Sequence, residues 1–161
     1  MLGKTIVAPA SAPGRGGVSV IRMSGANAKA IAEDMCGGLA QSWKFRKCKI
    51  KSTDGLVLDS GLVVFFESPH SYTGEDVVEF HCHGNPTIVN LIVEDVVKRG
   101  AVIAEPGEFT KTAFLNDKID LAQAESVSDL INAQSKSAVI AANSSLSGNF
   151  SSSIDLIIRG L

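Results

Sequence analysis

The 161-residue sequence is 45% hydrophobic, enough to enclose one core, or one core and part of a second. A formal charge of −2, with 20% charged residues, excludes a global basic field for nucleic acid, so any RNA contact must be local or come from another segment. No apolar run approaches the length of a bilayer span, and MLGKTIVAPA at the N-terminus lacks both a signal-peptide core and a cleavage signal.

In chain order, TIVAP and GVSVIRMS predict two strands joined by the loop ASAPGRGG, whose Pro and Gly content continues neither element. Ala28, Ile31, Ala32 and Met35 then recur at helical spacing, and Gly37-Gly38 end that helix. WKFRKCKIK and TDGLVL predict a hairpin around Asp54-Gly55, and GLVVFF a further strand ended by Pro69. The loop SPHSYTGED leads into VVEFHCH. Pro86 opens a helix with an apolar face of Ile88, Val89, Leu91, Ile92 and Val96, Gly100 terminates it, and AVIA follows as a short strand. Beyond Pro106 the pattern is helical. Asp120 and Gln123 have capping-box spacing, with Leu121, Ala124, Ser128 and Ile131 on one side of their helix. A last stripe of Val139, Ala142, Leu146, Phe150 and Ile157 is still running at Leu161. Such a stripe needs cover, from a missing downstream domain or a second copy of the chain, so the sequence is expected to be a piece cut inside a longer protein. No internal repeat is visible.

Cys36, Cys48 and Cys82 are odd in number and far apart, which argues against a disulfide framework and leaves no CxxC metal clip; they read as reduced thiols of a cytoplasmic protein. In VVEFHCH, strand alternation puts Val78, Phe80 and Cys82 on one face, the core face, and Val77, Glu79, His81 and His83 on the other. His81 and His83 have no third and fourth ligand at suggestive spacing, so no metal site is expected. Cys82 cannot reach either neighbouring histidine for a Cys-His pair. His83-Gly84 reads as a strand-to-helix turn, with the helix N-terminus able to accept an anion. Glu79 leaves alternatives open. It fits a solvated strand face, but in VSVIRMS both faces look covered, so Arg22 would sit among apolar groups and need a partner. Glu79 is either that partner, or both residues line a ligand pocket.

Three nucleotide-site look-alikes fail. Gly3-Lys4-Thr5 resembles the end of a Walker A motif with no cradle before it, and APGRGGVSV leads into a strand rather than a helix. NDKID misses the guanine-reading order Asn-Lys-x-Asp by one inserted residue. No catalytic GTPase site is expected. WKFRKCKIK sets Lys44, Arg46, Lys47, Lys49 and Lys51 beside Trp43 and Phe45, either as an RNA-facing patch or as a lysine-rich edge strand guarded against aggregation.

APGRGGVSVIRMSG, SYTGEDVVEFHCHGNP, EPGEFTKTAFLNDKIDLAQAESVSDLI and the later SLSG, in this order, resemble the N-terminal region of the MnmE (TrmE) family of tRNA-modifying GTPases, nearly continuously from Thr5 onward. The resemblance implies an α+β fold: a mixed sheet with flanking helices, like the folate domain of aminomethyltransferases, over residues 1–118, then the first part of a helical domain over 119–161. It implies a homodimer and a bound 5-formyl- or methylene-tetrahydrofolate. The folate-contacting positions would be Arg22, Glu79 and Lys118. The GTPase domain, with its GTP, Mg and K sites, would lie outside the chain. The parent protein would work with the flavoprotein MnmG (GidA) on the wobble uridine of tRNA, in the cytoplasm and away from membranes. The family's His-Gly-Gly stands here as His83-Gly84-Asn85. A stand-alone aminomethyltransferase-like one-carbon enzyme and a ligand-free dimerisation scaffold are the rival readings.

Overall fold

In the computed structural model the described residues, 3–148, fall into two units divided between Phe109 and Thr110. Phe150 and Ile157 of the predicted last stripe lie outside them. The first unit runs β1 (Ile6–Pro9), β2 (Gly16–Ser24), α1 (Ala28–Cys36), β3 (Phe45–Lys51), β4 (Val57–Phe66), β5 (Val77–Gly84), α2 (Pro86–Lys98) and β6 (Val102–Ile103). Its six strands form one mixed sheet in the order β3-β4-β5-β2-β1-β6, antiparallel except where β6 joins β1 in parallel. The class is α+β, as expected.

The helices form where the residue pattern allows and cover one sheet face. Ala28, Ile31, Ala32 and Met35 of α1 are buried, and Gly37, at φ 68°, takes the left-handed turn that ends the helix and that a side chain would strain. In α2, Val89, Ile92 and Val96 turn inward, whereas Leu91 stays 43% exposed despite its place in the predicted stripe. These residues join Ile21, Met23, Cys48, Ile50, Val63, Phe65, Val78, Phe80 and Cys82 in one core. Strand alternation then sends Arg22, Glu79, His81 and Phe45 to the opposite face.

The sheet departs from the sequence reading in β4, which is one strand rather than a hairpin arm plus a further strand. Asp59-Ser60-Gly61 has turn composition but lies inside it. The glycine answers a close approach: a Cβ on Gly61 would stand 2.3 Å from the carbonyl oxygen of His81 on β5. Gly61→Ala should therefore destabilise the chain by about 1–3 kcal/mol through strand displacement, measured as a lower urea midpoint at unchanged slope. An unchanged midpoint would mean that β4 and β5 separate at little cost.

The second unit carries most of α3 (Glu108–Leu115), then α4 (Leu121–Asn132) and α5 (Lys136–Leu146). The capping box is present: the Asp120 carboxylate accepts from Gln123 N at 2.8 Å while the Gln123 side chain accepts from Asp120 N at 2.9 Å. The predicted stripe on α4 is not its covered face. Leu121 and Ile131 are 60% and 78% exposed, while Ser126 on α4 and Ala142 on α5 are buried. Small side chains let these two helices approach closely, and the Ser126 hydroxyl is satisfied by the Ala122 carbonyl at 2.7 Å.

Candidate functional site

The sheet register aligns a row across the open face: Ala8, Arg22, Glu79, Val64 and Phe45 are successive cross-strand partners from β1 to β3. Val20, His81, Leu62 and Lys47 form the row beside it. Arg22 and Glu79, far apart in sequence, are thus direct neighbours because β5 inserts between β4 and β2. Arg22 donates to Glu79 Oε1 from Nε at 2.9 Å and from Nη2 at 2.8 Å. His81, two residues along the same face of β5, brings Nε2 to 3.2 Å from Glu79 Oε2. The Glu79 side chain is 14% exposed. Of the two options that the sequence left for Arg22, the ion pair with Glu79 is formed.

The expected cover over both faces of β2 is only half present. Val18, on the Arg22 face, is 63% exposed, while Val64 and Val77 near Glu79 are buried. The loop between β4 and β5 accounts for the closed end. Tyr72 and Phe109 place their rings 5.2 Å and 5.8 Å from the Arg22 guanidinium carbon, a cation–π arrangement on a partly desolvated charge. Ser24 Oγ donates to Glu75 Oε2 at 2.8 Å and accepts from Thr73 Oγ1 at 2.7 Å, which pins the SYTGED segment to the end of β2. On the His81 side a hollow of about 190 Å³ opens between Val18, Leu62, His81 and His83.

Sequence reasoning missed His81, Tyr72 and Phe109. The alternation of β5 did put His81 on the Glu79 face, and that was the one available signal; the two rings come from loop and helix-start positions that no periodicity addresses. Lys118 lies in the second unit, in the turn after α3, exposed, with its N–H donating to the Ala113 carbonyl at 2.9 Å. Among the described residues no three His, Cys, Asp or Glu side chains cluster to hold a metal ion. No described helix is long and apolar enough to cross a membrane.

His83 and Asn85 have local work. Asn85 caps α2 by accepting from Thr87 N at 2.9 Å, in an extended conformation open to any residue. Gly84 is the position that needs glycine, since a Cβ there would meet the Gly16 oxygen at 2.5 Å. His83 donates from its backbone to Asp59 Oδ2 at 2.7 Å, and its Nδ1 lies 2.8 Å from Asp59 Oδ1. Burial alone would raise the Asp59 carboxyl, but the bonds from the His83 backbone and ring and from Ser60 N–H outweigh it and hold the group below its ordinary value of 3.8. A carboxyl lowered in the folded state contributes stability above the unfolded value and loses it as pH falls through the folded one. The stability gap between the wild type and Asp59→Asn should therefore be constant near neutrality and close below about pH 4 in urea titrations. A gap that persists undiminished in acid would contradict this.

Charge, register and partial exposure together define an α+β domain that offers a carboxylate, gripped at both oxygens, beside a guanidinium and two rings on a partly open sheet face. Such a site can accept clustered hydrogen-bond donors from a planar, electron-rich ligand. Comparison with known proteins agrees with the motif resemblance: residues 5–118 match the family described as GTP-binding protein TrmE N-terminus, and the chain belongs to that family. It is 50% identical over 157 residues to the tRNA modification GTPase MnmE of Neisseria meningitidis serogroup B, covering 98% of this chain and 35% of that protein. It is 48% identical over 157 residues to that of Hydrogenovibrio crunogenus, again 98% and 35%, and 49% identical over 161 residues to that of Laribacter hongkongensis, 99% and 36%. The chain thus spans about a third of the length of these curated relatives.

Proposed function

We propose that this chain binds a tetrahydrofolate one-carbon donor, 5-formyl- or methylene-tetrahydrofolate, and pairs with a second copy as the N-terminal part of a tRNA modification GTPase. The observation that carries the reading is the Glu79 carboxylate held by Arg22 and His81 on the open sheet face. A reduced pterin presents a 2-amino group and an adjacent ring N–H, two donors that suit one carboxylate. A carboxylate has about four lone-pair sites, and three are already taken here, two on Oε1 and one on Oε2. Two-point recognition needs one of these to yield. The His81 contact, the longest, is the one most readily exchanged. Arg22 holds the Glu79 carboxylate in place, and Lys118 is kept as a folate-contacting cation on the motif resemblance alone.

The folate-binding and dimerisation domain comprises residues 1–118 in this reading, and the helical domain begins at 119. Val18, Phe45 and Leu62, all exposed on the site's side of the sheet, give a second copy an apolar surface to cover. The whole protein, which reaches beyond this chain, acts with MnmG in the cytoplasm to form a 5-carboxymethylaminomethyl-type group at the tRNA wobble uridine, with folate supplying the one-carbon unit and GTP, Mg and K bound elsewhere. Titrating the purified chain with 5-formyltetrahydrofolate should show saturable binding without GTP hydrolysis. A folded chain that binds no folate would leave the dimerisation scaffold as the better reading.

A further inference from the structure

Two of the three cysteines are not isolated. Cys36 ends α1 and Cys48 faces the core from the middle of β3, opposite Gly61, and their sulfurs lie 3.0 Å apart. Both residues are 7% exposed, while Cys82, 2% exposed, points to the Ser19 carbonyl instead. Neither thiol belongs to the Glu79 site, which lies on the other sheet face. Arg46, two residues before Cys48 on the same side of β3, donates from Nη1 to the carbonyls of Cys36 and Gly38, which seats a guanidinium at the end of α1 beside the pair. A covalent bond needs the sulfurs to close by only about 1 Å.

We propose that Cys36 and Cys48 form a peroxide-reactive dithiol site that oxidises to an intramolecular disulfide. Cys48 is the attacking sulfur: the 3.0 Å thiol contact with Cys36 and the charge of Arg46 lower its thiol from the ordinary value against the opposing effect of burial, while that contact and burial raise Cys36. The Cys48 thiolate attacks one peroxide oxygen, the O–O bond breaks, and the departing hydroxide takes a proton to leave as water. Cys36 sulfur then attacks the Cys48 sulfenic acid, the S–O bond breaks, and a second water departs with the Cys36 proton. Two thiols lose two electrons and hydrogen peroxide is reduced to two waters. A peroxide is small enough for thiols this enclosed, whereas bulky disulfides are not. The product staples the end of α1 to the edge strand and encloses the segment that bears Trp43.

The test treats the purified chain with hydrogen peroxide, then denatures, alkylates and maps it by mass spectrometry. Expected are loss of two hydrogens per chain, a peptide pair joined through Cys36 and Cys48, Cys82 still alkylated, full reversal by dithiothreitol, and a higher melting midpoint before reduction. In Cys36→Ser, the Cys48 sulfenic acid should persist after peroxide treatment and be captured when the chain is denatured in the presence of dimedone. The proposal is overturned if Cys36 and Cys48 in the wild type stay as alkylatable as Cys82, or if oxidation gives sulfinic acids or chain-to-chain cross-links instead. Folate binding plays no part in any of these readouts.

Discussion

Glu79→Gln should weaken 5-formyltetrahydrofolate binding by about one to two decades while leaving the chain folded. Glutamine keeps the shape and one acceptor for Arg22, but it replaces a charged acceptor with an amide whose NH₂ opposes a ligand donor. Hydrogen bonds to a charged group contribute about 1.5–3 kcal/mol, which sets the size of the expected loss. The fold should survive because glutamine keeps an acceptor for Arg22, whose side chain is 28% exposed, so no fully buried charge loses its partner. Calorimetric titration of both proteins, with a thermal melt of each, separates lost recognition from lost structure. Equal affinity in the two proteins would place the ligand away from this carboxylate.

Asp95→Ala should cost about 3 kcal/mol of stability, the largest single-residue effect expected outside the apolar core. Asp95 is 3% exposed on α2. Its Oδ1 accepts from Thr53 N and Thr53 Oγ1, both at 2.9 Å, and its Oδ2 from Arg99 Nε at 2.8 Å. Arg99 in turn pairs with Asp34 of α1. One buried carboxylate therefore ties the β3–β4 turn to both helices. Its removal leaves a half-buried guanidinium with one partner fewer and an N–H without an acceptor. The value stays near the low end for a broken buried pair because Asp34 remains. Urea unfolding measures the loss, and Asp95→Ala combined with Arg99→Ala should lose less than the sum of the two single changes. Strict additivity would mean that the two side chains are not coupled.

The sequence was most readable where a period of two or 3.6 ran against a clear stop signal. The faces of β2 and β5, the inward residues of α1 and the Asp120–Gln123 cap all follow from local spacing. The breaks in legibility share a cause, which is contact between segments distant in the chain. Gly61 reads as the start of a separate strand, and only the close approach of β5 shows why a glycine stands inside a continuous β4. Leu121 and Ile131 have helical spacing, yet helix approach through Ser126 and Ala142 decides which side of α4 is covered. Arg22 and Glu79 could be nominated as partners from their faces, but only the β2–β5 register sets them opposite each other. Tyr72 and Phe109 complete that neighbourhood from positions with no periodic signature, and the burial of Asp95 on α2 follows from its bonds to Thr53 in the β3–β4 turn, which no local spacing shows. Lys44 to Lys51 fall largely on an edge strand, where Lys47, Lys49 and Lys51 are exposed and the core-facing residues between them are Cys48 and Ile50. That arrangement suits protection of the edge.

A crystal structure of the chain grown with 5-formyltetrahydrofolate tests the central claim most directly. The account predicts the pterin against the open sheet face, its 2-amino group and adjacent ring N–H on the Glu79 carboxylate, with the His81 contact released. A folate bound elsewhere, with the Arg22–Glu79–His81 arrangement untouched, would contradict it.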